Sequence, residues 1–232
     1  MTTDVITENT TVQNATADSQ YTGLADTMMV ESEPTNNFNS GYRSDGIEVT
    51  KFGSGDHNHT IIRGDGLSNI SSSATVSAAT LYIYQSGNNS SYSIDLRRML
   101  QAWTDSGATW NRYDGTSDWN TGGALGAGTD RTSTPESTTS VGTTNSIYYG
   151  LDCTSLVQDI IDGTIASDEG FHLERNSAGN DSTFKLFTSS SGTDGQRPEL
   201  VVVYTTGGGG ATGTRLLANR LLTNILLNKG LL

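Results

Sequence analysis

Between residues 21 and 206 the chain alternates short apolar runs with clusters of Ser, Thr, Asn, Asp and Gly. A period of two within such runs is what a strand with one buried face requires. Ala79-Thr-Leu-Tyr-Ile-Tyr84 shows it most clearly: Leu81 and Ile83 fall on one face, Tyr82 and Tyr84 on the other, and Ser86-Gly-Asn-Asn89 follows as a turn. Leu200-Val-Val-Val-Tyr204 is nearly continuous, as in a central strand covered on both sides or near its edge. The same reading places strands at Thr27–Glu31, Glu48–Phe52, Thr60–Arg63, Ser91–Arg97, Ile147–Leu151, Gly170–Glu174 and Thr183–Thr188. About nine short strands in this arrangement predict an all-β fold, a two-sheet antiparallel β-sandwich of jelly-roll type, rather than an α/β fold.

Helical spacing is confined to short pieces. Leu156, Val157, Ile160 and Ile161 lie on one face of a predicted helix over residues 152–163, with Thr154 or Ser155 as its cap and Gly163 at C′. A second helical piece is expected from Leu96 to Trp103. Around the sandwich the pattern predicts a polar N-terminal arm over residues 1–20, a hinge over 207–213 built on Gly207–Gly210, and a Leu-rich tail over 214–232.

The tail places leucine pairs five residues apart, at Leu216 and Leu217, Leu221 and Leu222, Leu226 and Leu227, and Leu231 and Leu232. On a helix five residues advance about 140° beyond a full turn, so the pairs would wind round the axis instead of forming a stripe. Leaving them in water would forfeit about 1.5–3 kcal/mol per side chain. The tail therefore calls for a partner: copies of itself, a groove on another protein, or a lipid surface. Its only charges are Arg215, Arg220 and Lys229. Docking into a protein assembly is the preferred reading.

Charge narrows the partners. The net charge is −12 and the pI about 4.4, so a phosphate backbone is repelled and nucleic acid is not expected as a ligand. No apolar run is long enough to span a bilayer. No basic n-region and apolar h-region stand at the start of the sequence, so no secretory signal is visible. The expectation is an intracellular protein or one carried outside as part of a particle. Cys153 is the only cysteine, which excludes an internal disulfide and a thiolate zinc cluster.

Several segments in order carry a resemblance: Asp26-Thr27, Pro34-Thr-Asn-Asn-Phe38, Thr60-Ile-Ile-Arg63, Ala74–Tyr84, Trp103–Gly115, Trp119-Asn-Thr-Gly-Gly123, Asp152–Gln158 and Arg197–Tyr204. Together they make residues 21–206 resemble the disaggregatase-related DNRLRE β-sandwich domains, a family that overlaps carbohydrate-binding modules. The resemblance implies a sandwich fold and a binding or structural role. One departure stands out: Ile62-Arg-Gly-Asp-Gly-Leu67 is broken by glycines where the family continues an alternating strand, which predicts a bulge or altered edge.

Candidate chemistry is sparse. The sequence has no His-Glu-x-x-His, Gly-x-Ser-x-Gly or Walker pattern, so no catalytic residue is nominated and the protein is not expected to be an enzyme. Asp56-His-Asn-His59 sets His57 and His59 on one side of an extended segment, able to hold a metal with one carboxylate, or simply to stand in water. Asp114-Gly-Thr-Ser-Asp118 is the best loop for Ca²⁺, through Asp114 and Asp118, although it lacks EF-hand spacing. Arg63-Gly-Asp65 matches an adhesion tripeptide, a pattern that chance supplies often. Trp103 and Trp110 read as core, whereas Trp119, between Asp118 and Asn120, reads as exposed and suited with Tyr113 to stacking on a sugar ring.

The expected function is a non-catalytic structural protein of a particle surface, such as a phage capsid or tail decoration protein. It would be anchored through the tail to other particle proteins and would form a homo-oligomer at the virion surface. The alternative is a carbohydrate-binding module or adhesin that recognises surface polysaccharide.

Overall fold

The computed structural model describes residues 24–39, 46–52, 56–64, 67, 70–88, 91–165, 168–176, 185–188, 196–206 and 212–217. Its strands are β1 (Leu24–Val30), β2 (Gly46–Glu48), β3 (Thr50–Phe52), β4 (Asp56–Gly64), β5 (Ala74–Asn88), β6 (Tyr92–Arg98), β7 (Ser137–Val141), β8 (Ile147–Asp152), β9 (Phe171–Arg175), β10 (Lys185–Thr188), β11 (Glu199–Thr206) and β12 (Thr212–Leu217), with one helix, α1 (Thr154–Ile161). All named pairings are antiparallel. The first sheet runs β1-β4-β9-β6-β7 with β3 also on β4; the second runs β12-β11-β5-β10-β2 with β8 also on β5.

Each inner face contributes alternate residues to one core. Met28, Ile62, Leu173, Ile94 and Leu96 from the first sheet meet Ile47, Leu81, Ile83, Leu200 and Val202 from the second, all buried. The fold is thus an all-β sandwich of two antiparallel sheets. Val49 lies between β2, which pairs with β10, and β3, which pairs with β4, so the predicted strand Glu48–Phe52 is two strands in different sheets. The side chain of Asn58 donates to Glu48 at 2.9 Å, a polar tie inside the sandwich.

Three local expectations are corrected. α1 begins after Cys153 with no side-chain cap, because the Thr154 hydroxyl is turned to Asp152 (2.6 Å) and accepts the Ala79 amide (2.9 Å). Gly163, at φ 81°, does occupy the left-handed position after the helix. Residues 96–103 form no helix: Leu96 lies in β6 and faces the inter-sheet core, while Met99 and Trp103 face the opposite side of the sheet. The register of β4 on β1 is unbroken as far as Gly64, so no bulge interrupts Ile62-Arg63-Gly64, while Asp65 and Gly66, the rest of the expected interruption, lie outside the described residues.

Residues 1–20, the predicted arm, lie outside the described residues, as do Gly207–Gly210. Of the predicted tail, Leu216 and Leu217 belong to β12, which pairs with β11 through Leu200↔Leu217 to Thr205↔Thr212. The second sheet therefore runs on past residue 206. Leu221, Leu222, Leu226 and Leu227 lie outside the described residues.

Candidate functional site

The stretch between β6 and β7 crosses the outer face of the first sheet. It has no strand or α-helix, only a 3-10 turn at Gly122–Ala124, and is held by backbone bonds such as Gly123 N–H to Trp110 O (2.7 Å) and Trp119 N–H to Asn111 O (3.0 Å). The carboxylate of buried Asp130 gathers its loops by accepting the amides of Asn120 (2.9 Å), Thr121 (3.0 Å) and Gly126 (2.9 Å). Met29, Ile61, Met99, Trp103, Ala108, Trp110, Trp119 and Ala124 form a second apolar core beneath it. Gly123, at φ 73°, lies so close under Trp110 that a Cβ there would stand 2.7 Å from the ring.

This core absorbs the expected sugar platform. Trp119 is 5% exposed, and its Nε1–H donates to Thr109 O at 2.9 Å, so its ring cannot stack on a ligand in solution. Half-buried Tyr113 stands edge-on to it, with centroids 5.6 Å apart. Sequence neighbours misled here, because the polar residues flanking Trp119 face outward while the indole turns in. Trp119→Phe should lower stability by about 1–2 kcal/mol, from lost volume and the lost indole hydrogen bond. Urea unfolding would measure it, and an unchanged midpoint would contradict the buried placement.

The predicted Ca²⁺ loop is satisfied within itself. Asp114 accepts the amides of Thr116 (2.8 Å) and Ser117 (2.6 Å) and the Ser117 hydroxyl (3.0 Å), and these bonds hold its carboxyl below the usual range. Asp118 is exposed and turns to Arg112 at 3.6 Å. The two carboxylates thus face different partners. Arg63 donates to Trp103 O at 3.0 Å and lies 5.0 Å from the centre of its ring, so it is committed to the Trp core, and Asp65 lies outside the described residues.

A polar network joins this face of the first sheet to the loops that cover it. β4 and β9 bring His59, His172 and Glu174 together, with one donor atom from each lying within 4.8 Å of the others. His59 Nδ1 is 3.2 Å from His172 Nε2, which is itself 3.1 Å from Gly123 O. Burial holds His59 down to about 3, helped by His57 and Arg131, and burial likewise holds His172 well below the ordinary imidazole value. Both rings are therefore neutral, and the arrangement fits His172 Nε2–H donating to Gly123 O. Glu174 accepts from Arg97 Nε (2.5 Å) and from Arg131 (3.0 Å), and Arg97 also reaches Asp95 (2.9 Å).

His59, His172 and Glu174 are the residues here that could hold a divalent cation, but their surroundings fit one poorly. Both oxygens of Glu174 already serve guanidinium groups, beside which a cation would add two uncompensated charges. A ligating imidazole needs a partner for its other nitrogen, and His172 Nδ1 has none among the described residues. His57 points elsewhere, pairing with Glu31 at 2.9 Å and stacking on Trp110. The network ties the overlying loops to the sheet.

The outer face of the second sheet carries a different grouping. Tyr82 and Tyr84 on β5 lie opposite Gly150 and Tyr148 on β8, and Tyr82 lies opposite Glu199 on β11. The Tyr148 ring is 5.1 Å from Tyr84 and 6.5 Å from Tyr82. Its hydroxyl is placed between two acceptors, Arg197 O at 3.1 Å and Glu199 Oε1 at 3.2 Å, while Glu199 Oε2 has no partner among the described residues. Glu199 is 2% exposed, and burial raises its carboxyl to about 7. The alternation of Tyr82 and Tyr84 was visible in the sequence; their meeting with Tyr148 and Glu199 depends on strand pairing.

Glu199 has a pH signature. Its folded value exceeds the free 4.5, so the stability it contributes is whole below 4.5 and is lost as pH rises through about 7. Glu199→Gln should raise stability at pH 8 by about 2 kcal/mol and leave it little changed at pH 4. Denaturant titrations at the two pH values test this, and equal effects at both would contradict the buried carboxyl. No protein-family model matches the chain, and no curated protein matches it.

Proposed function

We propose that the protein is a non-catalytic structural subunit of a particle surface, of the capsid or tail decoration kind found on phage virions, and that its Leu-rich C-terminal segment anchors it. The observation that carries this reading is β12. The segment's first residues are a strand at the end of the second sheet's order, so the leucines beyond it are joined to the sandwich through a hydrogen-bonded element. A tether rooted in a sheet can transmit load to the body of a subunit. The acidic body and the basic segment support it further, since like bodies repel while the segment remains free of acids. Kinship to DNRLRE domains belongs to the same proposal, resting on the order of the motifs.

A chain lacking residues 218–232 keeps all of β12 and should fold with an unchanged melting temperature. It should fail to rejoin particles stripped of the native protein. Full occupancy by the truncated chain would overturn the reading.

A further inference from the structure

We propose that residues 99–131 form an acid-released cover: protonation of the buried His59–His172 pair lifts this layer from the first sheet while the two-sheet sandwich stays folded. The inference is independent of the anchoring role. Two separate cores make a partial opening possible. The inter-sheet core is built from both sheets, whereas the second core lies between the outer face of the first sheet and the cover. Trp103, Trp110 and Trp119, all three tryptophans of the chain, belong to the second core. The cover has no strand or α-helix of its own, only the 3-10 turn at Gly122–Ala124, so its order depends on contacts with the sheet.

The latch is polar. His172 Nε2, from β9, lies 3.1 Å from Gly123 O in the cover and 3.2 Å from His59 Nδ1 on β4, and Trp110 stands edge-on to His59 with centroids 5.6 Å apart. With Nε2–H donating, His59 Nδ1 must be an acceptor, and a proton there would set donor against donor. The charged groups facing the pair are Arg131 of the cover, Arg97 and Asp95 of β6 and Glu174 of β9; His57, the other titratable neighbour, is held by Glu31. Two guanidiniums already balance Glu174 and Asp95, and Asp130 beside Arg131 is occupied by three backbone amides. A proton on either imidazole is therefore an uncompensated buried charge, which exposure to water relieves. Because burial depresses both rings, the closed form is whole above 6.5 and weakens as pH falls toward about 3. The ties at the other end do not titrate: Arg63 holds Trp103 O, the Trp103 indole holds Glu169 O, and Asn37 holds the carbonyls of Asp105 and Ala108. Release should thus start at Gly123 and Arg131 and hinge near Trp103.

Tryptophan emission and far-UV circular dichroism of the full chain, followed together from pH 7 to pH 3, test this, since every tryptophan reports on the cover. Emission should move to the red, and acrylamide quenching rise, at a pH where the β circular dichroism is unchanged, and both should reverse at pH 7. The open population should rise up to about a hundredfold per pH unit in wild type, for two protons taken up, and about tenfold in H59Q or H172Q. The double variant should keep its native emission until the sandwich itself unfolds. Emission and circular dichroism lost in one step would overturn the proposal. So would an emission change at the wild-type pH in the double variant, which would assign the release to carboxylates such as Glu174. Should the double variant fail to fold, imidazole signals of the wild type followed by NMR decide: His59 and His172 must take up protons in step with the emission change, and rings that stay neutral through it sink the idea.

Discussion

Glu174→Ala is expected to lower the unfolding free energy by about 3–5 kcal/mol, the range seen when one member of a buried ion pair is removed. Glu174 is 9% exposed and accepts from Arg97 and Arg131. Arg97 would keep Asp95 at 2.9 Å and the Ser133 carbonyl at 2.5 Å. Arg131 would keep little, a Thr132 carbonyl at 3.1 Å, and its Nε is already without a partner among the described residues. The damage should therefore centre on Arg131, which belongs to the loops covering the first sheet. Chemical denaturation gives the free energy. Hydrogen exchange should show the loops around Trp110 and Trp119 opening first, and a loss under about 1 kcal/mol would mean the pair is solvated.

Acid should destabilise the same face well above the range of ordinary carboxylates. His59 and His172 are neutral when folded, their values depressed by burial and by nearby positive charge. A depressed value means that the unfolded chain binds protons the folded chain refuses. Stability from the neutral rings is whole above the free imidazole value of 6.5 and is lost as pH falls toward about 3. Each ring contributes a slope of up to about 1.4 kcal/mol per pH unit within its window. Glu199 acts in the opposite sense, so the two histidines should dominate the slope below pH 6. Urea midpoints at pH 7, 6, 5 and 4 measure it. A His59→Gln, His172→Gln double variant should flatten the decline, and a decline as steep as that of wild type would place the titrating groups elsewhere.

How much of this was legible from sequence depends on the range over which each signal acts. β5 and β11 were readable because alternation and β-branched content are properties of consecutive residues. β7, Ser-Thr-Thr-Ser-Val, gave no such signal, since only Val141 of its residues is buried. Leu96, Met99, Leu100 and Trp103 recur at helical spacing, yet the chain is extended up to Arg98 and its apolar residues enter two cores on opposite faces of one sheet. Trp119 was misplaced for a related reason. Its neighbours are polar, and the covering loops that bury it come from positions whose burial local sequence does not report.

The sites show the same division. His59 was singled out beside His57, and their rings do stand edge to face with centroids 5.9 Å apart, yet their polar partners differ: His57 pairs with Glu31, and His59 meets His172 and Glu174 from β9. Asp114 and Asp118 share a loop in sequence and turn to different partners in space. Glu199 carried no signal at all, being one carboxylate before an apolar run until β5 and β8 set tyrosines around it.

By itself the sequence determined the sandwich class, most of its strands, a helix within residues 152–163, the acidic body and the basic Leu-rich segment. These follow from period, composition and charge, which are local or summed properties. Only the tertiary structure decided that Trp119 is core, that the histidines form a buried neutral pair, and that Leu216 and Leu217 belong to a sheet. Those outcomes depend on which strands become neighbours. A change of cross-strand partner decides whether a side chain meets water, an ion pair or another ring, and no single segment contains that information.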